Sequence, residues 1–328
     1  MQKKIFVSFS FLLFCFLISD VSLAQTKSRI KTIIVDAGHG GKDQGAKGAY
    51  STEAQITLQL SLKVAAALQK ELPDTKIVET RTTDIYNSVT EKAAFANQNK
   101  GDLFVCIHVN AAPDIRHSEI TGYRNRTYYT GKGKKKTKHT KKEPVYRVWY
   151  TPNPRTGTGT YVWAADRDTK KADALSERFE SEGELTDAPD PTTPEGRILS
   201  RLWVQKYFKN SVRLATMIEG EFEKTGRKSD GVLQRNEKGI WVLQATNMPA
   251  VLIETGFITN KEEEDYLNSD QGQQEMTTAI VNAVVNFKKT MDASRNSAIT
   301  DSTSTSTNIK QSTNPVVPVT GPTKFSKR

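Results

Sequence analysis

Over residues 29–290, the expected extent of the main domain, short apolar runs alternate with stretches whose apolar residues recur at helical spacing. Three runs are nearly unbroken: Ile33-Ile34-Val35, Leu103-Phe104-Val105-Cys106-Ile107 and Val251-Leu252-Ile253. Runs this short and rich in Ile, Val and Phe predict strands buried on both faces. After the first, residues 53–72 carry apolar residues at Ile56, Leu58, Leu60, Leu62, Val64, Ala67 and Leu68, which predicts an amphipathic helix capped near Ser51 or Thr52. A strand over residues 76–80 follows Pro73 and Asp74. A helix over residues 87–99, with Val89, Ala93, Ala94 and Ala96 inward, leads into the second run. Strand, helix, strand, helix, strand in that order predicts an α/β fold with right-handed crossovers: one three-layer domain whose mostly parallel or mixed sheet is flanked by helices.

Residues 116–194 break the rhythm. They hold a lysine run (residues 131–142), an expected strand at 146–150, a Gly/Thr stretch at 156–160 and an acidic segment at 177–190. A structureless loop of this length is improbable inside a compact domain, so an insertion with its own elements is expected. The lysine run itself reads as a solvated loop. The regular pattern resumes with a helix over 198–224, strands at 241–243 and 251–253, and a closing helix over 274–291. Residues 293–328 are Ser, Thr, Asn and Pro with few apolar residues, the composition of a disordered tail.

The first 24 residues have the parts of a secretory signal: Lys3 and Lys4, an apolar stretch from Ile5 to Ile18, and Ser22-Leu23-Ala24 before Gln25. An uncleaved anchor is the alternative, but the apolar run is short for a spanning helix. Export to the periplasm or cell envelope without a stable membrane anchor is therefore expected. Cleavage would leave one cysteine, Cys106, so no intramolecular disulfide could form, and the core must supply stability. The formal charge of +10 becomes +9 once Lys3, Lys4 and Asp20 are removed. In an exported protein such an excess favours an anionic envelope polymer over nucleic acid, and no nucleic-acid motif accompanies the lysine run.

The apolar runs gain meaning from the residues that end them. His39 follows the first within Gly38-His39-Gly40-Gly41, His108 closes the second, and Glu254 closes the third; the chain has only four histidines. Open α/β sheets build their sites at the carboxyl ends of strands. A catalytic zinc takes three protein ligands and leaves one position open, and two histidines with one carboxylate is an established set. His39 and His108 can supply the nitrogens. Glu53, in the first turn of the helix after the Gly-rich loop, is the best third ligand, with Asp36 and Asp43 as competitors. Cys106 stands two residues before His108 and faces the same way, so a thiolate ligand is geometrically open, although a core role is simpler. Glu254 beside such a metal would carry protons between water and a leaving amine.

Four ordered blocks resemble one family: residues 35–43 (Val-Asp-Ala-Gly-His-Gly-Gly-Lys-Asp), Glu53 opening a helix, residues 107–111 (Ile-His-Val-Asn-Ala), and residues 249–260 (Pro-Ala-Val-Leu-Ile-Glu-Thr-Gly-Phe-Ile-Thr-Asn). The chain is similar to the zinc-dependent N-acetylmuramoyl-L-alanine amidases of the amidase 3 class, represented by periplasmic AmiC-like enzymes. The resemblance implies one Zn2+ on His39, Glu53 and His108, with Glu254 as acid/base and Asn110 as a substrate contact. It implies peptidoglycan as partner and cleavage of the amide between N-acetylmuramic acid and L-alanine, in wall remodelling or daughter-cell separation. A zinc peptidase cutting within the stem peptide and a noncatalytic wall-binding module are the alternatives. Two positions depart from the family pattern: Ala54 where lysine is usual and Lys92 where arginine is usual. In AmiC-like relatives an inserted helix blocks the zinc through a glutamate until a protein activator displaces it. Residues 172–180 occupy that stretch here, and Glu177 and Glu180 are the expected blocking ligands.

Overall fold

The computed structural model describes residues 30–164, 171–172 and 193–308, with side chains to residue 293. The signal segment, Glu177 and Glu180, and residues 309–328 lie outside the described residues. Ile30–Lys288 forms one compact unit. Its centre is a six-stranded sheet built from β1 (Thr32–Ala37), β2 (Lys76–Glu79), β3 (Leu103–Asn110), β6 (Thr158–Val162), β7 (Ser229–Gln234) and β8 (Ala250–Phe257), in the order β2-β1-β3-β8-β6-β7. Every neighbouring pair is parallel except β6 with β8, so the sheet is mixed but mostly parallel, as the strand–helix alternation predicts.

The helices are α1 (Glu53–Glu71), α2 (Val89–Gln98), α3 (Pro194–Lys224), the short α4 (Trp241–Ala245), α5 (Lys261–Asn268) and α6 (Asp270–Asn308). One face of the sheet presents Ile34, Phe104, Cys106, Ala250 and Leu252, which pack with Ala93 and Ala96 of α2, with Trp163 and with Leu243 of α4. The alternate residues Ile33, Val35, Leu103 and Val105 turn the other way, and α1 lies along β1 to β3 with Ile56, Leu60, Val64 and Leu68 buried. Both α1 and α2 start with a capping box, Thr52 with Gln55 and Ser88 with Glu91, so each begins where the sequence places a cap. Among the described residues no helix is long and apolar enough to cross a membrane.

Several local expectations need correction. Val89 and Ala94 of α2 are exposed rather than inward, because Val89 opens the helix and Ala94 falls on the side away from Ala93 and Ala96. Residues 241–243 form the first turn of α4, not a strand: three apolar residues are too few to distinguish the two by periodicity, and the core takes up Val242 and Leu243 from a helix equally well. The Gly/Thr stretch of the expected insertion is strand β6, a full member of the central sheet between β8 and β7. Strand β7 carries only Val232 and Leu233 as apolar residues, because it is an edge strand that is nowhere fully buried, and the sequence pattern does not reveal it. The lysine run is not a loop. It forms a short 3-10 turn, Gly133–Lys135, and the start of β5 (Thr137–Thr151), which pairs antiparallel with β4 (Ile115–Thr130) in a separate two-stranded sheet. The strand expected at 146–150 is the far end of this longer one. The closing helix also continues past Met291 to Asn308.

Candidate metal centre

The carboxyl ends of β1, β3 and β8 meet at one edge, and the side chains singled out in the sequence gather there. His108 on β3 is the cross-strand partner of Glu254 on β8. Glu53, the first residue of α1, lies between the two histidines: its Oε1 is 2.8 Å from His108 Nδ1 and its Oε2 is 3.1 Å from His39 Nε2. The imidazole centroids are 4.9 Å apart at 75°. His39, Glu53 and His108 offer ligand atoms all within 4.8 Å of one another, an arrangement able to hold a metal ion. Of the competing acids, Asp43 is exposed and Asp36 is committed elsewhere.

The chain constrains this cluster at several points. His39 sits at φ 57°, a left-handed backbone that costs a non-glycine residue energy and that a functional loop retains. Its Nδ1 lies 2.9 Å from Asp43 Oδ2, which turns Nε2 toward Glu53. This orienting role for Asp43, four residues after His39, escapes the sequence reading, which weighs Asp43 only as a ligand. Gly38 leaves space for the His108 ring: a Cβ there would come within 2.7 Å of it. Glu53 Oε1 also accepts from Val109 N at 3.1 Å and Oε2 from Ala46 N at 2.9 Å, so its carboxylate is fixed on both oxygens.

Behind the cluster lies a buried polar brace. Arg81 Nη2 donates to the carbonyls of Gly38 (2.9 Å) and Ala54 (2.8 Å), which ties the histidine loop to the first turn of α1. Lys92 Nζ donates to Ala37 O at 2.6 Å and pairs with Asp36 Oδ1 at 3.0 Å. A lysine at this departure from the family pattern thus still makes a buried ion pair. Asp36 Oδ2 takes a hydrogen bond from Cys106 Sγ at 2.8 Å. Burial pushes the Cys106 thiol well above its ordinary pKa, and the charge of Asp36 adds to this, so Cys106 is a protonated core thiol. Burial also raises Asp36, but the charge of Lys92 and the hydrogen bonds outweigh it and keep the carboxyl below its ordinary value.

Glu53 and His39 shift each other's protonation. Burial would raise Glu53, yet hydrogen bonds to His108 and His39 and their charges hold it well below the usual carboxylate range. Burial would lower His39, and Glu53 and Asp43 together lift it to about 9. Two imidazoles turned on one ionised carboxylate are a donor set of the kind Zn2+ takes, two nitrogens and an oxygen. Glu254 is the opposite case. Burial raises it to about 7, and its Oε2 is buried with no hydrogen-bond partner among the described residues. Arg235, stacked 5.3 Å from the Tyr161 ring, contributes a positive charge near Glu254 that no sequence motif announces. Asn110 ends β3, and its Oδ1 accepts from the following Ala111 N at 2.8 Å, a local turn contact at the rim of the site.

A parallel-stranded α/β edge with two histidines and two glutamates of opposite character defines the class: a hydrolase whose site residues are arranged to be able to hold a metal ion. The chain belongs to the N-acetylmuramoyl-L-alanine amidase family, amidase 3, which it matches over residues 33–286. It is 28% identical over 266 residues to the probable N-acetylmuramoyl-L-alanine amidase AmiB of Haemophilus influenzae, covering 78% of this chain and 52% of that protein. It is also 28% identical over 257 residues to the N-acetylmuramoyl-L-alanine amidase AmiC of Escherichia coli O6:H1, covering 78% and 52%. The chain thus spans about half the length of these two relatives. The crystal structure of an N-acetylmuramoyl-L-alanine amidase from Clostridium difficile 630 shares the fold, with a TM-score of 0.50 at 24% identity over 79% of this chain and 97% of that one.

Proposed function

We propose that this protein is a zinc-dependent N-acetylmuramoyl-L-alanine amidase that releases stem peptides from peptidoglycan. The observation that carries the reading is the convergence of His39, Glu53 and His108 beside Glu254, a buried carboxyl with one oxygen unengaged. His39 Nε2, a Glu53 oxygen and His108 Nδ1 would hold the ion. Zinc, when bound, polarises the scissile carbonyl and lowers the pKa of water. Glu254 accepts a proton as water oxygen attacks the lactyl carbonyl carbon. It returns that proton to the alanine nitrogen as the C–N bond breaks, leaving a carboxylate on the glycan and a free amine on the peptide. Burial suits Glu254 to both halves of this cycle, because a carboxyl raised to about 7 is readily ionised and readily protonated near neutrality. The brace of Arg81 and Lys92 holds the histidine loop in position, which spares reorganisation during the reaction.

Mass spectrometry of muropeptides from sacculi digested by the purified protein tests the activity. Stem peptides with a free L-alanine amine are expected, and products cut only within the stem would overturn the reading in favour of a peptidase. The signal-like start supports export, so the protein recovered from the cell envelope should begin at Gln25. Control by an activator rests on Glu177 and Glu180. Changing both to alanine should raise basal turnover without a partner, and a folded, zinc-loaded variant with no gain would remove that part of the proposal.

A further inference from the structure

The β4–β5 hairpin has two chemically distinct faces. Cross-strand register puts His117 with Trp149, Glu119 with Arg147, Arg124 with Glu143, and Tyr128 with His139 on one of them. That face is internally paired. His117 stacks on Trp149 at 5.4 Å and Tyr128 on His139 at 5.2 Å, Arg126 reaches Glu143 at 3.0 Å, and Arg147 lies 3.6 Å from Glu119. The other face carries Ile120, Tyr123, Tyr129, Tyr146, Val148 and Tyr150, between 39% and 67% exposed. Arg116, Lys138 and Lys142 share it, whereas the two acids of these strands, Glu119 and Glu143, both fall on the paired face. A ribbon that satisfies one side and leaves an unpaired aromatic stripe on the other is built to meet something.

The chemistry of the stripe selects the occupant. Tyrosine rings supply flat apolar surfaces with a polar tip, and here they alternate with Ser118, Asn125, Thr127 and Thr140, which suits sugar rings with C–H faces and hydroxyl edges. Cations without neighbouring acids call for a ligand that also carries carboxylates. A lipid surface fits less well, because the tip, residues 131–136, is Gly and Lys with no apolar residue to insert. The ribbon also springs from the site itself: it follows β3, which carries His108, and returns into β6, the neighbour of β8. Asn153 Nδ2 closes its base on Pro113 O at 3.0 Å.

We propose that the tyrosine face of this hairpin is a second, noncatalytic binding surface for an acidic glycan–peptide polymer, which it holds beside the metal centre. The proposal rests on peptidoglycan being the substrate. Its test combines Tyr123→Thr, Tyr129→Thr and Tyr146→Thr in one variant, since threonine keeps the strand preference. Affinity for intact sacculi should fall at least tenfold, with turnover of a small soluble muropeptide unchanged. Lys138→Gln with Lys142→Gln should weaken sacculus binding chiefly at low salt. Tyr128→Thr on the paired face should bind as the parent does, which also shows that the ribbon tolerates such changes. Unaltered sacculus binding in the triple variant overturns the proposal, as does an equal loss of small-substrate turnover. Tighter binding of the parent protein to anionic lipid vesicles or single-stranded oligonucleotide than to sacculi overturns the choice of ligand. If the parent cleaves no muropeptide while the tyrosine variant still loses sacculi, the surface stands and the amidase reading fails.

Discussion

The edge of the central sheet and the β4–β5 hairpin are made of the same strand geometry but are stabilised differently. At the edge, each functional side chain is held by several buried partners: Glu53 by two backbone N–H groups and two imidazoles, Asp36 by Lys92, Thr80 and Cys106. On the hairpin every side chain is at best half-buried, and its order comes mainly from cross-strand pairs. A buried network fails when one member is lost, because the others are left without partners. An exposed ribbon loses only the pair that was changed. Precision is thus placed at the carboxyl edge of the central sheet, and adaptability on the exposed ribbon.

That contrast can be broken most severely at the ligands. His39→Ala or His108→Ala should abolish both zinc binding and turnover, read by elemental analysis and muropeptide release; full zinc occupancy in either variant would refute the ligand assignment. Glu254→Gln should keep the zinc and lose turnover by a factor on the order of 10² or more, the scale of a positioned acid/base. Near-normal turnover would move that role to another residue.

The same glutamate sharpens the comparison through pH. Its carboxyl has an ordinary value of 4.5 and is raised to about 7 in the fold, so the folded protein binds a proton that the unfolded chain releases. The stability this lends is fully present below about 4.5 and is lost as pH rises through about 7. Glu254→Gln should therefore melt close to the parent at pH 4.5, and above it at pH 8 by up to about 3 kcal/mol in chelator-treated protein. Equal differences at both pH values would show that burial of the charge is not the cause.

Lys92→Met leaves Asp36 buried without its ion-pair partner, held only by the Thr80 and Cys106 hydrogen bonds, and should cost about 3–5 kcal/mol in urea unfolding. The matching cut on the hairpin, Glu143→Ala, removes an exposed pair with Arg126 and should shift the midpoint by less than about 1 kcal/mol. Similar losses from both would erase the distinction between the two regions.

The same division decides how much the sequence discloses. Strands β1, β3 and β8 are legible because parallel strands buried on both faces must be apolar throughout, and any polar residue that ends them stands out. Glu53 is legible because a capping Thr52 fixes where α1 starts. Strand β7 is not, since an edge strand needs no apolar run, and α4 is not, since three apolar residues fit either element. The hairpin hides for a further reason: its order comes from pairs such as Ile115 with Thr151, and no local window contains both partners. The Asp43 contact to His39 depends on a left-handed turn at His39 that residue type alone does not announce.

The base of the hairpin has a consequence for how the chain folds and changes. Ile115 and Thr151 are paired, and Asn153 bonds back to Pro113, so the thread leaves the central unit and re-enters it at almost one point. For the search that brings β3, β6 and β8 together, the whole ribbon counts as one short connection, because closing a longer loop adds only about 0.6 kcal/mol per doubling of its length. Excising the ribbon and bridging 115 to 151 with a tight turn should leave the central sheet its folding rate. Insertions and deletions along this arm are correspondingly cheap, because they leave the strands of the central sheet and their carboxyl edge in register.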